Sequence, residues 1–229
     1  MSDRHVLPEI EVVLHRTLAF EQALLSPIGR VPFEDTARTK LSFFFLGLAH
    51  EHWLALRTLM ASGLNHSAIA LMRPQFEAVL KAFWVSHAAT ESWAAHYGVV
   101  RQNNGAVVEP DIPRVFEMLN ELKDTCHPKA FGQLSGFKDV SWKALNSYVH
   151  GGVHALSNLG TAMPAAFLRQ VLVNANGVAG LGATLAATLI NDPARIHAVI
   201  GAQFTFQDCL PPTLIAAGGP WTARRRAPA

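Results

Sequence analysis

Apolar residues recur every three to four positions along most of this 229-residue chain. An α-helix turns once in about 3.6 residues, so this spacing gathers the apolar side chains on one face of a helix. No segment alternates apolar and polar residues between hairpin turns, which is the pattern of a half-buried strand. The periodicity therefore predicts an all-α fold, a single helical bundle of about six to eight helices.

Proline, glycine and asparagine mark the predicted helix boundaries. Pro8 suits the first turn of one helix, Gly63 follows the end of another, and Asn65 is placed to cap the next. Pro74 lies inside that next helix, where the missing backbone donor predicts a kink. The helices are predicted at residues 8–25, 34–61, 65–89, 93–100, 114–123, 139–159, 164–190 and 193–209.

Three segments are predicted to be irregular. Residues 103–110 and 126–136 are rich in residues that interrupt helices, namely proline, glycine and asparagine. Residues 218–229 contain three consecutive arginines and are expected to form a disordered basic tail. We therefore expect one helical domain over residues 1–217, followed by this tail.

The composition predicts a cytoplasmic protein without a membrane span. Cys126 and Cys209 lie in no paired motif, so two free thiols in a reducing compartment are expected. The most apolar segment, residues 175–190, is shorter than the roughly 20 residues that cross a bilayer, and it contains Asn176. The N-terminal residues form no apolar signal segment. A net charge of +2 is too small to indicate nucleic-acid binding by itself.

The first candidate site is a pair of opposite charges on the third predicted helix. Arg73 and Glu77 are four residues apart on the flank of an apolar stripe, and Trp84 lies further along this flank. A half-buried ion pair is costly unless both members find further partners. Two interpretations stay open. Either Arg73 binds an anion while Glu77 orients it or a neighbouring histidine, or the pair is structural and ties this helix to the one after Trp142.

The second candidate site follows Trp142, where Lys143, Asn146 and His150 project along one flank of a predicted helix. A lysine and an amide can engage a phosphate, and an imidazole exchanges its proton near neutral pH. Residues 151–152 are both glycine, which allows a substrate or a second backbone to come close. The alternative is that His150 caps or hydrogen-bonds a neighbouring helix.

A metal site is also conceivable, because His150 and His154 have the four-residue spacing of helical metal ligands. A zinc site needs at least one further ligand, for which Glu77, His50 or His52 are available, but the HExxH motif is missing. His52 lies within the apolar stripe of its own helix, where a core histidine is expected. The sequence has no Walker A loop, Rossmann glycine motif or GxSxG motif. We therefore expect neither a metal nor a cofactor.

Two segments resemble a group of uncharacterised bacterial all-helical proteins. One is Ala70-Leu71-Met72-Arg73-Pro74-Gln75-Phe76-Glu77-Ala78 with Phe83-Trp84, and the other is Leu145-Asn146-Ser147-Tyr148-Val149-His150-Gly151-Gly152. In that group a helix with Arg-Pro-x-x-Glu precedes a helix that ends in Tyr-x-His-Gly-Gly. The group resembles the HEPN domains, helical bundles that include toxin-type and phage-defence ribonucleases.

The resemblance implies a HEPN-like bundle that forms a homodimer, with the helix of Arg73 and Glu77 near His150. HEPN ribonucleases carry an arginine a few residues before a histidine and usually assemble the site across the dimer. Lys143 stands in the arginine's place here, with six residues between it and His150. Arg73 can supply the guanidinium from the neighbouring helix.

Three functions stay open. The first is a non-catalytic module of a bacterial defence or stress system that binds a protein or a small anionic ligand, which the modest charge favours. The resemblance implies the second, metal-independent RNA cleavage, in which cations stabilise charge on the phosphate. In this reaction His150 is the acid/base and Lys143 and Arg73 stabilise the phosphate, with Glu77 beside them. The expected binding residues are the positioning groups Asn146 and Tyr148, together with His154 and Trp84. The third is a small-molecule enzyme of unknown class.

Overall fold

The computed structural model describes residues 7–29, 31–97, 101–103, 106–108, 111–157, 159–160 and 162–212, with the backbone alone at 101–103 and 106–108. Within these residues the chain forms nine α-helices, one 3₁₀ helix and one two-stranded hairpin. The helices are α1 Pro8–Leu25, α2 Ala37–Ala61, α3 Asn65–His87, α4 Glu91–Tyr97, α5 Val115–Thr125, α6 Pro128–Val149, α7 Val153–Ser157, α8 Ala165–Ile190 and α9 Pro193–Thr205. The all-helical class is confirmed, with more helices than the six to eight expected.

Helix boundaries follow the expected capping chemistry at most ends. Pro8 and Pro193 occupy the first turns of α1 and α9. The Thr36 hydroxyl accepts the Thr39 amide at the start of α2. Asn191 ends α8 in the left-handed conformation, with a φ of 58°. The prediction that Asn65 caps α3 is wrong, because Asn65 is already helical and the cap position belongs to Leu64.

The prediction of an irregular segment at residues 126–136 is wrong from Pro128 onward, because α6 is continuous there. Pro128 begins the helix, where a proline is tolerated. Leu134, Phe137 and Leu145 line the buried face of α6, and packing of this face outweighs the weak helix propensity of the two glycines. The long helix predicted over 139–159 is instead divided, because Gly151 has a φ of 64° between α6 and α7.

A hairpin interrupts the helices where a loop was expected. Strands β1 (Arg101–Asn103) and β2 (Ala106–Val108) pair antiparallel, with Arg101 opposite Val108. Strands of three residues are too short to show alternating polarity, so the sequence pattern gave no strand signal. The residues between the strands lie outside the described part of the chain, as does the predicted tail at 218–229.

Helix α8 forms the centre of the bundle and contacts α1, α2, α3 and α9. By length and composition it is apolar enough to cross a membrane, but 61% of its most apolar window is buried inside the protein, as in the core helix of a soluble protein. Its small residues allow close packing, since a Cβ added at Gly182 would lie 3.3 Å from Leu46 and 3.4 Å from Val79. The helix therefore serves as the core against which α2 and α3 are fixed.

Candidate functional site

Helices α3 and α6 pack against each other and bring the two predicted sites together. The rings of Phe76 and Phe137 stack with their centroids 4.6 Å apart, and Trp142 meets Phe76 edge-on at 6.4 Å. These buried aromatic contacts place the C-terminal end of α6 beside the first half of α3. The apolar stripe of each helix thus fixes the position of the polar residues on its flank.

Arg73 is the centre of the resulting cluster. Its Nε donates to Glu77 Oε1 at 2.8 Å, and its Nη1 lies 3.0 Å from His150 Nε2. The guanidinium carbon is 4.6 Å from the centroid of the Trp142 ring, in cation–π contact. The side chains of Arg73 and Glu77 are 21% and 25% exposed, so the pair is accessible from solvent. We call Arg73, Glu77, Trp142 and His150 the Arg73 cluster.

The contact between Arg73 and His150 fixes the tautomer of the imidazole. A guanidinium carries only donors, so Nε2 of His150 must accept the hydrogen bond. The ring is then neutral with its proton on Nδ1. A second proton on Nε2 would replace the hydrogen bond with repulsion between two cations. In this arrangement His150 is a hydrogen-bond acceptor whose lone pair is held by Arg73.

A glycine turn holds His150 at the end of α6. The His150 amide donates to the Asn146 carbonyl at 3.0 Å, and the Gly152 amide donates to the Ser147 carbonyl at 2.7 Å. This second bond and the left-handed Gly151 form a Schellman-type cap. A Cβ at Gly152 would approach Ser147 Oγ to 2.6 Å. The two glycines therefore serve this turn, which orients His150 toward α3.

The other residues predicted on this flank have different surroundings. Lys143 is exposed and makes no hydrogen bond or ion pair with the described residues. The side-chain oxygen of Asn146 is buried and has no hydrogen-bond partner there. His154 is exposed on α7, where its amide donates to Ser147 Oγ at 2.9 Å. Lys143 thus stays available to a ligand beside the Arg73 cluster.

Tyr148 and Trp84 are not brought into the Arg73 cluster. Tyr148 is only 9% exposed, and its ring lies 6.1 Å from that of His66. Trp84 is eleven residues beyond Arg73 on α3, which is about 16 Å along the helix. Its indole donates to Glu121 of α5 at 2.7 Å and packs edge-on against Trp93. Trp84 therefore joins α3 to α4 and α5.

A second arginine cluster was missed by the sequence reasoning. Glu21 of α1 receives the Arg57 guanidinium at 2.7 Å and the His50 imidazole at 2.6 Å, while Arg57 lies over Trp53 at 4.4 Å. Arg57 is 3% exposed, and its Nε and Nη1 have no hydrogen-bond partner in the described structure. Its position four residues after the buried Trp53 was the available sequence signal. We call these four residues the Arg57 cluster.

The electrostatics of the Arg57 cluster are dominated by its carboxylate. Burial alone raises the pKa of Glu21, but hydrogen bonds from Arg57 and His50 outweigh burial and hold this pKa below 4.5. Partial burial lowers the pKa of His52 on the same helix below 6.5, and the side chain is half-buried rather than in the core position predicted for it. No group of three or more histidine, cysteine or acidic side chains converges on a metal position within the described ranges.

Fold and site together define an all-helical protein with an accessible arginine–histidine–glutamate cluster between two packed helices. Residues 46–212 match the Family of unknown function (DUF6988), and the chain belongs to this family. The matched region includes the complete Arg73 cluster, whereas Glu21 of the Arg57 cluster lies before it. The chain matches no curated protein and no solved structure.

Proposed function

We propose that this chain is a HEPN-like binding module of a bacterial defence or stress system, in which the guanidinium of Arg73 exchanges its contact with His150 for an anionic group of the ligand. The observation that carries the proposal is the 3.0 Å contact between Arg73 Nη1 and His150 Nε2 at a solvent-accessible position. The anionic group is a phosphate or a carboxylate, since both suit the planar fork of a guanidinium.

The contacts of Arg73 suggest how an anion binds. Glu77 holds Nε and Trp142 supports the face of the guanidinium, so the side chain is already ordered. Nη2 has no partner among the described residues. An anion that takes Nη1 and Nη2 together forms a two-point contact and releases His150 Nε2. Glu77 offsets the charge of Arg73, so the exposed Lys143 supplies the extra positive charge of the site.

Calorimetric titration with pyrophosphate tests the binding proposal. Arg73→Met removes the fork and is expected to weaken binding by about tenfold or more, as for the loss of a charge-assisted contact. The matched control is Arg169→Met, because Arg169 is an exposed arginine of α8 whose guanidinium, among the described residues, donates only to the Asp208 carbonyl. Equal affinity of the wild type, Arg73→Met and Arg169→Met, or no binding by the wild type, would contradict the proposal.

RNA cleavage is the second candidate, and the adjacency of imidazole and guanidinium favours it. Once a phosphate occupies Arg73, His150 Nε2 is free to remove the proton of a ribose 2′-hydroxyl. The 2′-oxygen attacks phosphorus, and the 5′-oxygen leaves and takes a proton from water. Arg73 and Lys143 stabilise the charge that develops on the phosphate.

Incubation of end-labelled RNA with the protein in excess EDTA tests the second candidate. Cleavage by the wild type and its loss in His150→Ala at an unchanged melting temperature are expected. Intact RNA after incubation with the wild type, or cleavage that persists in His150→Ala, would leave the binding module as the function.

We also propose a cytoplasmic homodimer. Three large apolar side chains are largely exposed on and just after α7: Val153 at 72%, Leu156 at 62% and Leu159 at 67%. No residue of α7 is buried, and the helix lies next to His150 in the chain, so a second copy is the proposed occupant of this surface. Light scattering should give twice the monomer mass for the wild type and the monomer mass for Leu156→Asp. A monomeric wild type would contradict the dimer.

The free thiols Cys126 and Cys209 support the reducing compartment.

A further inference from the structure

A cavity of 530 Å³ lies at the opposite end of the α3–α6 pair from the Arg73 cluster. It is bounded by the end of α3, the first turns of α6, the second half of α8, and α9. Because α6 has 22 residues, its two ends are about 33 Å apart. The cavity is therefore independent of the proposed anion site, and its volume is in the range of small-molecule pockets.

The walls of the cavity are mostly apolar. The apolar side chains include Phe83, Leu181, Leu185, Ile196, Ile200 and Phe204. Ile200 and Phe204 remain 38% and 58% exposed. None of the described lining residues is acidic. An apolar ligand body is the natural complement of these walls.

Two polar side chains at the start of α6 offer hydrogen-bond donors to the cavity, those of His127 and Lys129. Nδ1 of His127 accepts the Lys129 amide at 3.2 Å, so the remaining ring nitrogen of a neutral His127 carries a proton. The Lys129 ammonium is exposed and forms no ion pair with any residue that the structure describes. Together these two residues present one positive charge and one neutral donor at the mouth of the cavity. That set suits a group with a single negative charge.

His87, at the end of α3, adds no positive charge to the cavity. Its Nδ1 lies 2.6 Å from the Ser86 hydroxyl oxygen and 3.0 Å from the Phe83 carbonyl oxygen. Because the Ser86 hydroxyl itself donates to this carbonyl, Nδ1 carries the proton and donates to both oxygens. Burial lowers the pKa of His87 below 6.5, which keeps the ring neutral at physiological pH. The positive charge of the cavity is thus confined to the side of Lys129.

We propose that this cavity binds an amphipathic carboxylic acid with an apolar tail. The carboxylate contacts Lys129 and the ring N–H of His127, and the tail lies between Phe83, Leu185 and Ile200. A singly charged carboxylate fits the one cation and one donor better than a doubly charged phosphate does. The tail removes the exposed parts of Ile200 and the cavity wall from water.

Calorimetric titration of the full chain with decanoate tests this proposal, with decylamine as the probe of opposite charge. Decanoate is expected to bind and decylamine to bind at least about tenfold more weakly. Ile200→Trp and Thr188→Trp each place an indole in the cavity, and each should weaken decanoate binding by at least about tenfold. Two blocking variants are used so that the result does not depend on the folding of one.

Lys129→Gln isolates the contribution of the charge. It should weaken decanoate binding by about two- to fivefold, the range of an exposed charge pair, and leave the binding of decanol unchanged. Lys123→Gln is the matched control, since Lys123 is an exposed lysine of α5 outside the cavity, and it should bind like the wild type.

Three results would overturn the proposal. The first is no decanoate binding by the wild type, and the second is equal binding of decanoate and decylamine. The third is a dimeric wild type that Ile200→Trp converts to a monomer in light scattering, because this face would then be an interface between two copies of the chain.

Discussion

The Arg57 and Arg73 clusters contain the same four residue types in opposite surroundings. Each arginine bonds a glutamate, lies over a tryptophan and has a histidine in its network. In the Arg57 cluster the carboxylate of Glu21 bridges arginine and histidine, whereas in the other cluster Arg73 itself is the bridge. The side chains of Arg57 and Arg73 are 4% and 21% exposed, respectively.

The comparison separates a structural network from a candidate binding site. Arg57 joins α1 to α2, and a ligand cannot reach its buried guanidinium without rearrangement of the helices. Arg73 keeps a free Nη2 among the described contacts and stands beside the unpaired Lys143. The composition of a charged cluster therefore says less about function than its burial and the identity of the bridging group.

The largest effect is expected from Arg57→Met. The substitution leaves the carboxylate of Glu21 largely buried without its main cation, which costs about 3–5 kcal/mol of unfolding free energy. Urea denaturation measures the loss, and Arg73→Met serves as the control, with an expected cost below about 1 kcal/mol. Equal losses in the two variants would remove the distinction between the clusters.

The next largest effect is expected from Asn176→Ala, which acts on the support of the Arg57 cluster. The Asn176 side chain is fully buried, accepts the Trp53 indole at 3.0 Å, and donates to Thr17 and to the Cys209 carbonyl. Its removal leaves buried polar groups unpaired and should cost about 2–3 kcal/mol in the same denaturation experiment. A decrease in unfolding free energy of less than about 0.5 kcal/mol would show that the hydrogen bond from Trp53 to Asn176 does not stabilise the fold.

A smaller effect is expected from the titration of Glu21. Its pKa is lowered in the folded protein, so the corresponding stability is present above the unfolded value near 4.5 and is lost as the pH falls through the folded pKa. The unfolding free energy is measured from pH 6 downward. Below the unfolded value near 4.5, it should fall less steeply with decreasing pH for Glu21→Gln than for the wild type. Parallel curves would show that Glu21 is not held as a carboxylate by Arg57 and His50.

The smallest effect on stability is expected from His150→Ala. The side chain is exposed and, within the described part of the chain, makes one hydrogen bond, to Arg73, so the unfolding free energy should change by less than about 1 kcal/mol. Binding of pyrophosphate should nevertheless be retained, because Glu77 and Trp142 still order the guanidinium and the anion no longer has to displace His150 from Nη1. Urea denaturation and calorimetry on the same sample check both parts. A loss of several kcal/mol would identify His150 as a structural residue.

Local pattern was enough for much of the fold. The bounds of α1 follow from Pro8 and from the period of its apolar residues. The start of α6 was missed because Pro128, Gly132 and Gly136 are typical of loops, and only the packing of α6 on α3 favours a helix there. The contact of Arg73 with Glu77 follows from their four-residue spacing, but its contact with His150 spans 77 residues. The sequence suggested that pair only through resemblance to other proteins.

The contact of Trp53 with Arg57 had a four-residue spacing as its signal, whereas the contact of Arg57 with Glu21 and the 530 Å³ cavity had none. Glu21 and Arg57 are 36 residues apart on different helices, and each looks like an ordinary helix charge until the helices are packed. The cavity is made by the ends of four helices that are distant in sequence. Such features depend on tertiary packing, which local spacing does not encode.

The most direct test of the account is the tautomer of His150, measured by long-range ¹H–¹⁵N nuclear magnetic resonance at neutral pH. The contact with Arg73 predicts a neutral ring with its proton on Nδ1 in the wild type, and a change in this state in Arg73→Met. A proton on Nε2 in the wild type, or identical spectra of the two proteins, would contradict the arrangement on which the proposed site depends.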